Sequence, residues 1–254
     1  MIGKLSSIGI IPARYGSTRF PGKPLSMIGN KSMLQRVYER SKLSNLDKVL
    51  VATDDQRIFD HVIEFGGEVL MTSQDIGSGT ERCAAALDSI GEEFEIVLNI
   101  QGDEPFINPE LLNELILLFN KYTTQIATPC KLIVKDEDLL NPNIVKVVIN
   151  NAKFALYFSR SPIPFLRDPK NKNKVSQHHF LAHIGIYAFR TDILEEIIHL
   201  PVHPLEKAES LEQLRWLANG YSIRLVKTGY QSISVDTPDD LIKINQNLKR
   251  FELL

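Results

Sequence analysis

The chain has 254 residues, 43% of them hydrophobic, with a formal net charge of −2 and a pI near 6.3. That is enough apolar material for one large α/β domain, or a domain with a small appendage. The near-neutral balance gives no sign of a nucleic-acid footprint, so a phosphorylated ligand must be met by a local group of cations.

In chain order, MIGKLSSIGIIPARYG carries an apolar run that ends after Ile11. It is too short for the apolar region of a signal peptide. Ile8 to Ile11 reads instead as a buried parallel strand that stops at Pro12. A polar loop follows from Ala13 to Pro24. Ser32 caps a helix running to Ser41, with Met33, Leu34 and Val37 on its inner face. Lys48 to Ala52 is a second strand, and Asp54 caps a helix carrying Ile58, Val62 and Phe65 that ends at Gly66-Gly67. Glu68 to Met71 is a third strand. Thr80 to Ile90 is an alanine-rich helix, and Glu95 to Ile100 a fourth strand broken by Gly102. Pro109 opens a helix to about Phe119. Alternating strands and helices predict an α/β fold with an open, mostly parallel sheet and helices on both faces.

The rhythm changes after Thr124. Ile126 to Leu132, Ile144 to Ile149 and Phe154 to Ser159 read as strands, with a turn at Asn150-Asn151. Arg160 to Gln177 reads as a long polar loop, and His183 to Phe189 as one strand. Leu211 to Ala218 is a helix, Ile223 to Val226 a strand, and Pro238 opens a last helix. We read residues 1–254 as a single domain with an antiparallel excursion at roughly 140–190. Cys83 and Cys130 lack metal-type spacing and read as buried, unpaired residues of a reducing compartment. No stretch approaches the roughly 20 apolar residues of a membrane span. A cytoplasmic protein that binds neither membrane nor nucleic acid is the expectation.

The loop PARYGSTRFPGKPL places Arg14, Arg19 and Lys23 directly after the first strand. In open α/β sheets, ligands bind at the carboxyl ends of strands. Three cations there can neutralise much of a triphosphate, and Gly16 and Gly22 let the backbone approach phosphate oxygens. Composition alone is equally compatible with an exposed basic loop. The run is neither a Walker loop nor a dinucleotide fingerprint, because the glycine spacings are wrong. Asp103 and Glu104 follow the fourth strand in NIQGDEP, and Asp236 lies in SVDTPDD before the last helix. Magnesium typically takes one or two carboxylates plus substrate phosphates. Asp103 and Asp236 meet that need if the fold brings them together. Asp103 can equally be a turn residue, and on the sequence alone Asp236 reads more readily as the cap of the helix after Pro238. Capping accounts for Asp54 and Asp55. Arg82, in SGTER, either reaches a nucleotide from its helix start or is a solvated surface arginine. Glu206, Glu209 and Glu212 read as a solvated helix face, and His199 as unremarkable.

The segment IIPARYGSTRFPGKPL resembles the N-terminal motif of the sugar-acid cytidylyltransferases. The likeness continues through ATDDQRI, FGGEVLMTS, SGTER, NIQGDEP, VKVV, ALYFSRSPIP, HIGIYAF, LEQLR and VDTPDDL, spanning nearly the whole chain. It implies the nucleotide-diphospho-sugar transferase type of sheet and transfer of CMP from CTP to a 3-deoxy sugar acid, with release of pyrophosphate. SRSPIP, HIGIYAF and LEQLR favour a 3-deoxy-octulosonate over sialic acid, and leave an 8-amino analogue open. A non-catalytic nucleotide-binding protein on the same fold is the alternative from a different class.

The resemblance places Mg²⁺ on Asp103 and Asp236, and nucleotide on Arg14, Arg19, Lys23 and Arg82. It places sugar contacts on Gln101, Arg160, Arg167, His183, Tyr187, Glu212 and Gln213, with Arg160 or Arg167 for the acid's carboxylate. It also implies a homodimer with an interface after about residue 140. Read singly, His183 is more readily a satisfied structural histidine and Tyr187 more readily a core residue. The expected chemistry is in-line attack of the sugar's anomeric hydroxyl on the α-phosphate, catalysed by Arg14, Lys23, Asp103 and Asp236 through positioning and charge stabilisation.

Overall fold

A computed structural model describes residues 4–16, 20–167, 173–230 and 234–251. The chain packs as two compact units, residues 1–116 with 232–254, and residues 117–231. The sequence reading has one domain with an excursion at 140–190; the second unit takes in more of the chain on both sides.

The first unit begins with β1 (Ser7–Ala13). Its neighbours are β4 (Lys48–Thr53) on one side and β6 (Ile96–Asn99) on the other, with β5 (Val69–Met71) beyond β4, all parallel. Ile8, Ile10 and Ile11 are fully buried, as a strand covered on both faces requires. Gly9 leaves no room for a side chain: a Cβ there would lie 2.7 Å from Leu46 and 2.8 Å from Ile100. A small hairpin, β2 (Met27–Ile28) with β3 (Lys31–Ser32), leads into α1 (Met33–Lys42). Ser32 caps that helix by accepting from the Gln35 amide at 3.1 Å, and Met33, Leu34 and Val37 are buried, as expected.

Helix α2 (Gln56–Glu64) is capped by Asp55, not Asp54: Asp55 Oδ1 accepts from the Arg57 amide at 3.0 Å. Helix α3 (Gly79–Ile90) starts one residue early because Ser78 and Glu81 form a reciprocal capping box. Helix α4 (Pro109–Leu117) follows β6 and passes into a short 3₁₀ turn, Leu118–Asn120.

The second unit is built on β7 (Ile126–Leu132). The short helix α5 (Asp136–Leu140) was not legible in sequence. β8 (Lys146–Ile149) and β9 (Ala155–Ser159) form the expected antiparallel pair. The single strand expected over His183–Phe189 is two, β10 (Leu181–His183) and β11 (Tyr187–Arg190), both antiparallel to β7. Five residues on from His183, which faces Cys130, Ala188 faces Ala127, so the partner has advanced by only three. The surplus residues bulge out and turn the carbonyls of Ile184 and Ile186 onto the Thr128 hydroxyl, at 3.1 and 2.7 Å. Helices α6 (Thr191–Ile197), α7 (Pro204–Glu209) and α8 (Gln213–Ala218) precede β12 (Ile223–Lys227), which pairs parallel with β7.

The chain then returns to the first unit with α9 (Pro238–Gln246) and α10 (Leu248–Phe251). Val235 and Ile244 pack with Ile28, Met33 and Phe106, which fixes the approach to α9 beside the turn after β6. Among the described residues no helix is long and apolar enough to cross a membrane.

Candidate active site

At the carboxyl end of β1, Gly22 adopts a left-handed φ of 71° and donates its amide to the Tyr15 carbonyl at 2.9 Å. That bond folds the basic loop back on itself. The Arg57 guanidinium stacks over the Tyr15 ring at 3.3 Å, and Lys23 opens a short 3₁₀ turn, Lys23–Leu25. Arg19 lies outside the described residues.

At the end of β6, Gly102 admits the neighbouring strand's exit: a Cβ there would sit 3.3 Å from the Pro12 carbonyl oxygen. This close approach brings the Asp103 turn beside the basic loop. The Val235 amide donates to the Asp103 carbonyl at 3.1 Å, which carries Asp236 to the same place. Both carboxylates therefore meet one ammonium. Lys23 Nζ donates to Asp103 Oδ2 at 2.7 Å and lies 3.6 Å from Asp236 Oδ1. The helix cap for α9 is Thr237, whose hydroxyl accepts from the Asp240 amide at 3.2 Å, so Asp236 is not the cap. Gln101 is half-buried at the start of the same turn, where its carbonyl accepts from the Glu104 amide at 3.4 Å.

Arg82 is neither solvated nor directed outward. It is fully buried, with Nη2 on Asp54 Oδ2 at 2.7 Å and Nη1 on the Thr72 hydroxyl and the Ser73 carbonyl. Burial pulls its pKa down, and Asp54 opposes that. The same Asp54 oxygen lies 4.0 Å from Arg14 Nε, and Arg14 also donates to the Ile76 carbonyl. Asp54 thus holds two arginines, a role that the capping account missed. The adjacent acid, Asp55, satisfied the capping signal.

The predicted sugar residues, Gln101 apart, fall in the second unit. His183 Nε2 is 3.0 Å from Thr128 Oγ1. Burial pushes the His183 pKa down to about 3, and its ring packs edge-on to Phe158, 5.1 Å between centroids. Tyr187 packs against Trp216 at 5.1 Å, and burial raises its pKa with Glu212 adding to the effect. The Tyr187 hydroxyl and Gln213 Nε2 are both buried with no hydrogen-bond partner. A buried polar atom without a partner is costly and calls for an explanation. Glu212 is half-buried just before α8, 4.0 Å from Arg215. Arg167 is exposed.

Arg160 is committed to the main chain. Its guanidinium donates to the carbonyls of Glu209 at 2.6 Å, Pro142 at 3.0 Å and Ser210 at 3.2 Å. Two further residues brace it: Glu209, which the sequence reading placed on a solvated helix face, and Lys146, which it did not single out. Glu209 accepts from the Arg160 amide at 2.8 Å and the Ser159 hydroxyl at 2.6 Å. Lys146, fully buried, donates Nζ to the carbonyls of Ile144 at 2.7 Å, Asn141 at 3.0 Å and Arg160. Burial lowers its pKa, which Glu209 opposes. Glu206 likewise is no solvated residue: it takes Arg215 through two bonds, at 2.8 and 2.6 Å. An acidic helix face looks the same in sequence whether its partners are waters or distant arginines. Cys83 and Cys130 are buried and form no disulfide, as expected.

A cationic loop and paired carboxylates at the carboxyl end of a parallel α/β sheet define a nucleotidyltransferase type of site. The cytidylyltransferase family model matches residues 8–225, and the chain belongs to that family. Curated relatives named 3-deoxy-manno-octulosonate cytidylyltransferase include those of Parabacteroides distasonis and Bacteroides thetaiotaomicron. The first is 52% identical over 93% of this chain and 95% of its own length. The second is 52% identical over 95% and 98%. A solved structure of CMP:2-keto-3-deoxy-manno-octonic acid synthetase complexed with CTP superposes with a TM-score of 0.89 at 41% identity, covering 96% of this chain and 99% of that one.

Proposed function

We propose that the protein transfers CMP from CTP to 3-deoxy-D-manno-octulosonate (KDO), giving CMP-KDO and pyrophosphate for lipopolysaccharide synthesis. The observation that carries the site assignment is the meeting of Asp103 and Asp236 on Lys23, from three distant parts of the chain. The names of relatives about half identical over nearly the full chain support the substrate.

Lys23 and Arg14 would face the triphosphate and take up the charge of the departing pyrophosphate, with Arg19 assisting. Asp54 would hold Arg14 from behind, and Arg82 would act through Asp54 instead of touching nucleotide. Asp103 and Asp236 form the donor set that Mg²⁺ prefers, one or two carboxylates with substrate phosphates completing the shell. Among the described residues no group of three or more His, Cys, Asp or Glu gathers as an all-protein cage. When bound, magnesium supplies charge neutralisation at the α-phosphate and a lower pKa for the attacking hydroxyl.

The Tyr187 hydroxyl and Gln213 amide would pair with sugar hydroxyls, with Gln101, His183 and Glu212 completing recognition. Arg160 or Arg167 would meet the acid's carboxylate. We further propose a cytoplasmic homodimer with its interface in the second unit. Pyrophosphate release with CTP, Mg²⁺ and a panel of KDO, 8-amino-KDO and sialic acid tests the reading. KDO should turn over best, and CTP binding without turnover of any of the three would overturn it.

A further inference from the structure

The Lys23 ammonium stands on the two carboxylates that the proposed function assigns to a divalent ion. Lys23 Nζ is hydrogen-bonded to Asp103 Oδ2 at 2.7 Å and stands 3.6 Å from Asp236 Oδ1. A Mg²⁺–oxygen bond is about 2.0–2.1 Å long. An ion bound to the same two oxygens would therefore crowd the ammonium, and like charges so close repel strongly where water is partly excluded. The Lys23 side chain is 16% exposed and that of Asp103 27%, against 44% for Asp236, so solvent screening is limited at the Lys23–Asp103 contact and larger at Asp236.

We propose that Lys23 is an exchangeable counter-ion. It neutralises the paired carboxylates before substrate arrives, obstructs the metal while it stays there, and moves to the triphosphate when CTP enters, clearing both carboxylates for Mg²⁺. The inference rests on the metal reading given above. Its consequence is reciprocal coupling: nucleotide tightens the metal and metal tightens the nucleotide, by the same factor. A ligand-free pocket would then hold magnesium poorly, which keeps the metal from binding without its substrate.

One substitution should produce effects of opposite sign. Lys23→Met removes the competing cation while keeping the stem. Titration with Mn²⁺, read by electron paramagnetic resonance of the free ion, should show metal binding to the nucleotide-free protein about tenfold tighter than in the parent. CTP binding, measured by calorimetry without metal, should weaken about tenfold or more, and the enhancement of Mn²⁺ binding by CTP should shrink. Lys23→Gln, which is neutral but polar, should behave alike and serves if the methionine variant misfolds. Asp103→Asn should lose Mn²⁺ binding in either background. Metal binding that stays the same or weakens in both Lys23 variants, while Asp103→Asn abolishes it, would overturn the exchange and leave the metal site standing. Mn²⁺ binding unaffected by Asp103→Asn would overturn both.

Discussion

Lys23 in the first unit and Lys146 in the second are both partly or wholly removed from water, yet they are held in opposite ways. Lys23 is held by two carboxylates, which a metal can compete for and a phosphate can replace. Lys146 is held by three main-chain carbonyls, which no substrate displaces. The same contrast separates Arg14, near Asp54 and half-exposed, from Arg160, tied to the carbonyls of residues 142, 209 and 210. A charge that must change partners during a reaction is paired with side chains. Lys146 and Arg160 are instead pinned by backbone, because buried carbonyls left without donors are costly and so keep them in place.

The largest test of this contrast is Asp103→Asn. Turnover should fall on the order of 10²- to 10³-fold, the scale of losing one charge-stabilising group, while the melting temperature barely changes. Normal pyrophosphate release from that variant would remove the carboxylate from the chemistry. Asp54→Asn should act mainly on stability, because it strands the buried Arg82 without a counter-charge, at roughly 3–5 kcal/mol in denaturant melts. The neighbouring Asp55→Ala should cost only about 1 kcal/mol, the loss of one helix cap. Equal effects at the two aspartates would show that Asp54 is merely another turn residue.

In the second unit, Lys146→Met should destabilise by about 1–3 kcal/mol through orphaned carbonyls. It should also raise the KM for the sugar acid with little change for CTP; a matching rise for both substrates would break the division of labour. The smallest effect concerns pH. The folded protein holds His183 neutral, with its pKa pushed down from the ordinary 6.5 to about 3. The unfolded chain therefore binds more protons between those values, and stability should fall as pH drops from 6.5 toward 3, by roughly a few kcal/mol at the lower end. Chemical denaturation across that window should be flatter for His183→Gln; an unchanged profile would assign the acid sensitivity elsewhere.

The local rules that place elements were legible wherever chemistry between near neighbours decides. Ile8 to Ile11, the Ser32 cap, the start of α9 at Pro238 and the strand Ile126–Leu132 all follow from periodicity and capping. The break between His183 and Tyr187 was not legible, because its cause is a threonine hydroxyl on another strand. For the site, residue types and motif resemblance singled out Asp103, Asp236 and Lys23. They could not tell whether Asp236 caps a helix, a choice made when Thr237 takes that role and Val235 bonds to the Asp103 carbonyl.

The amino-acid sequence by itself thus determined the alternating architecture, the basic loop, the acidic candidates and the family resemblance, since each is written in short segments. Only the tertiary structure decided who pairs with whom: Arg82 with Asp54, Arg160 with three carbonyls, Lys146 with its cage, and one ammonium with two remote acids. Pairing depends on which groups lose their water together, and that is a property of packing between segments far apart in the chain.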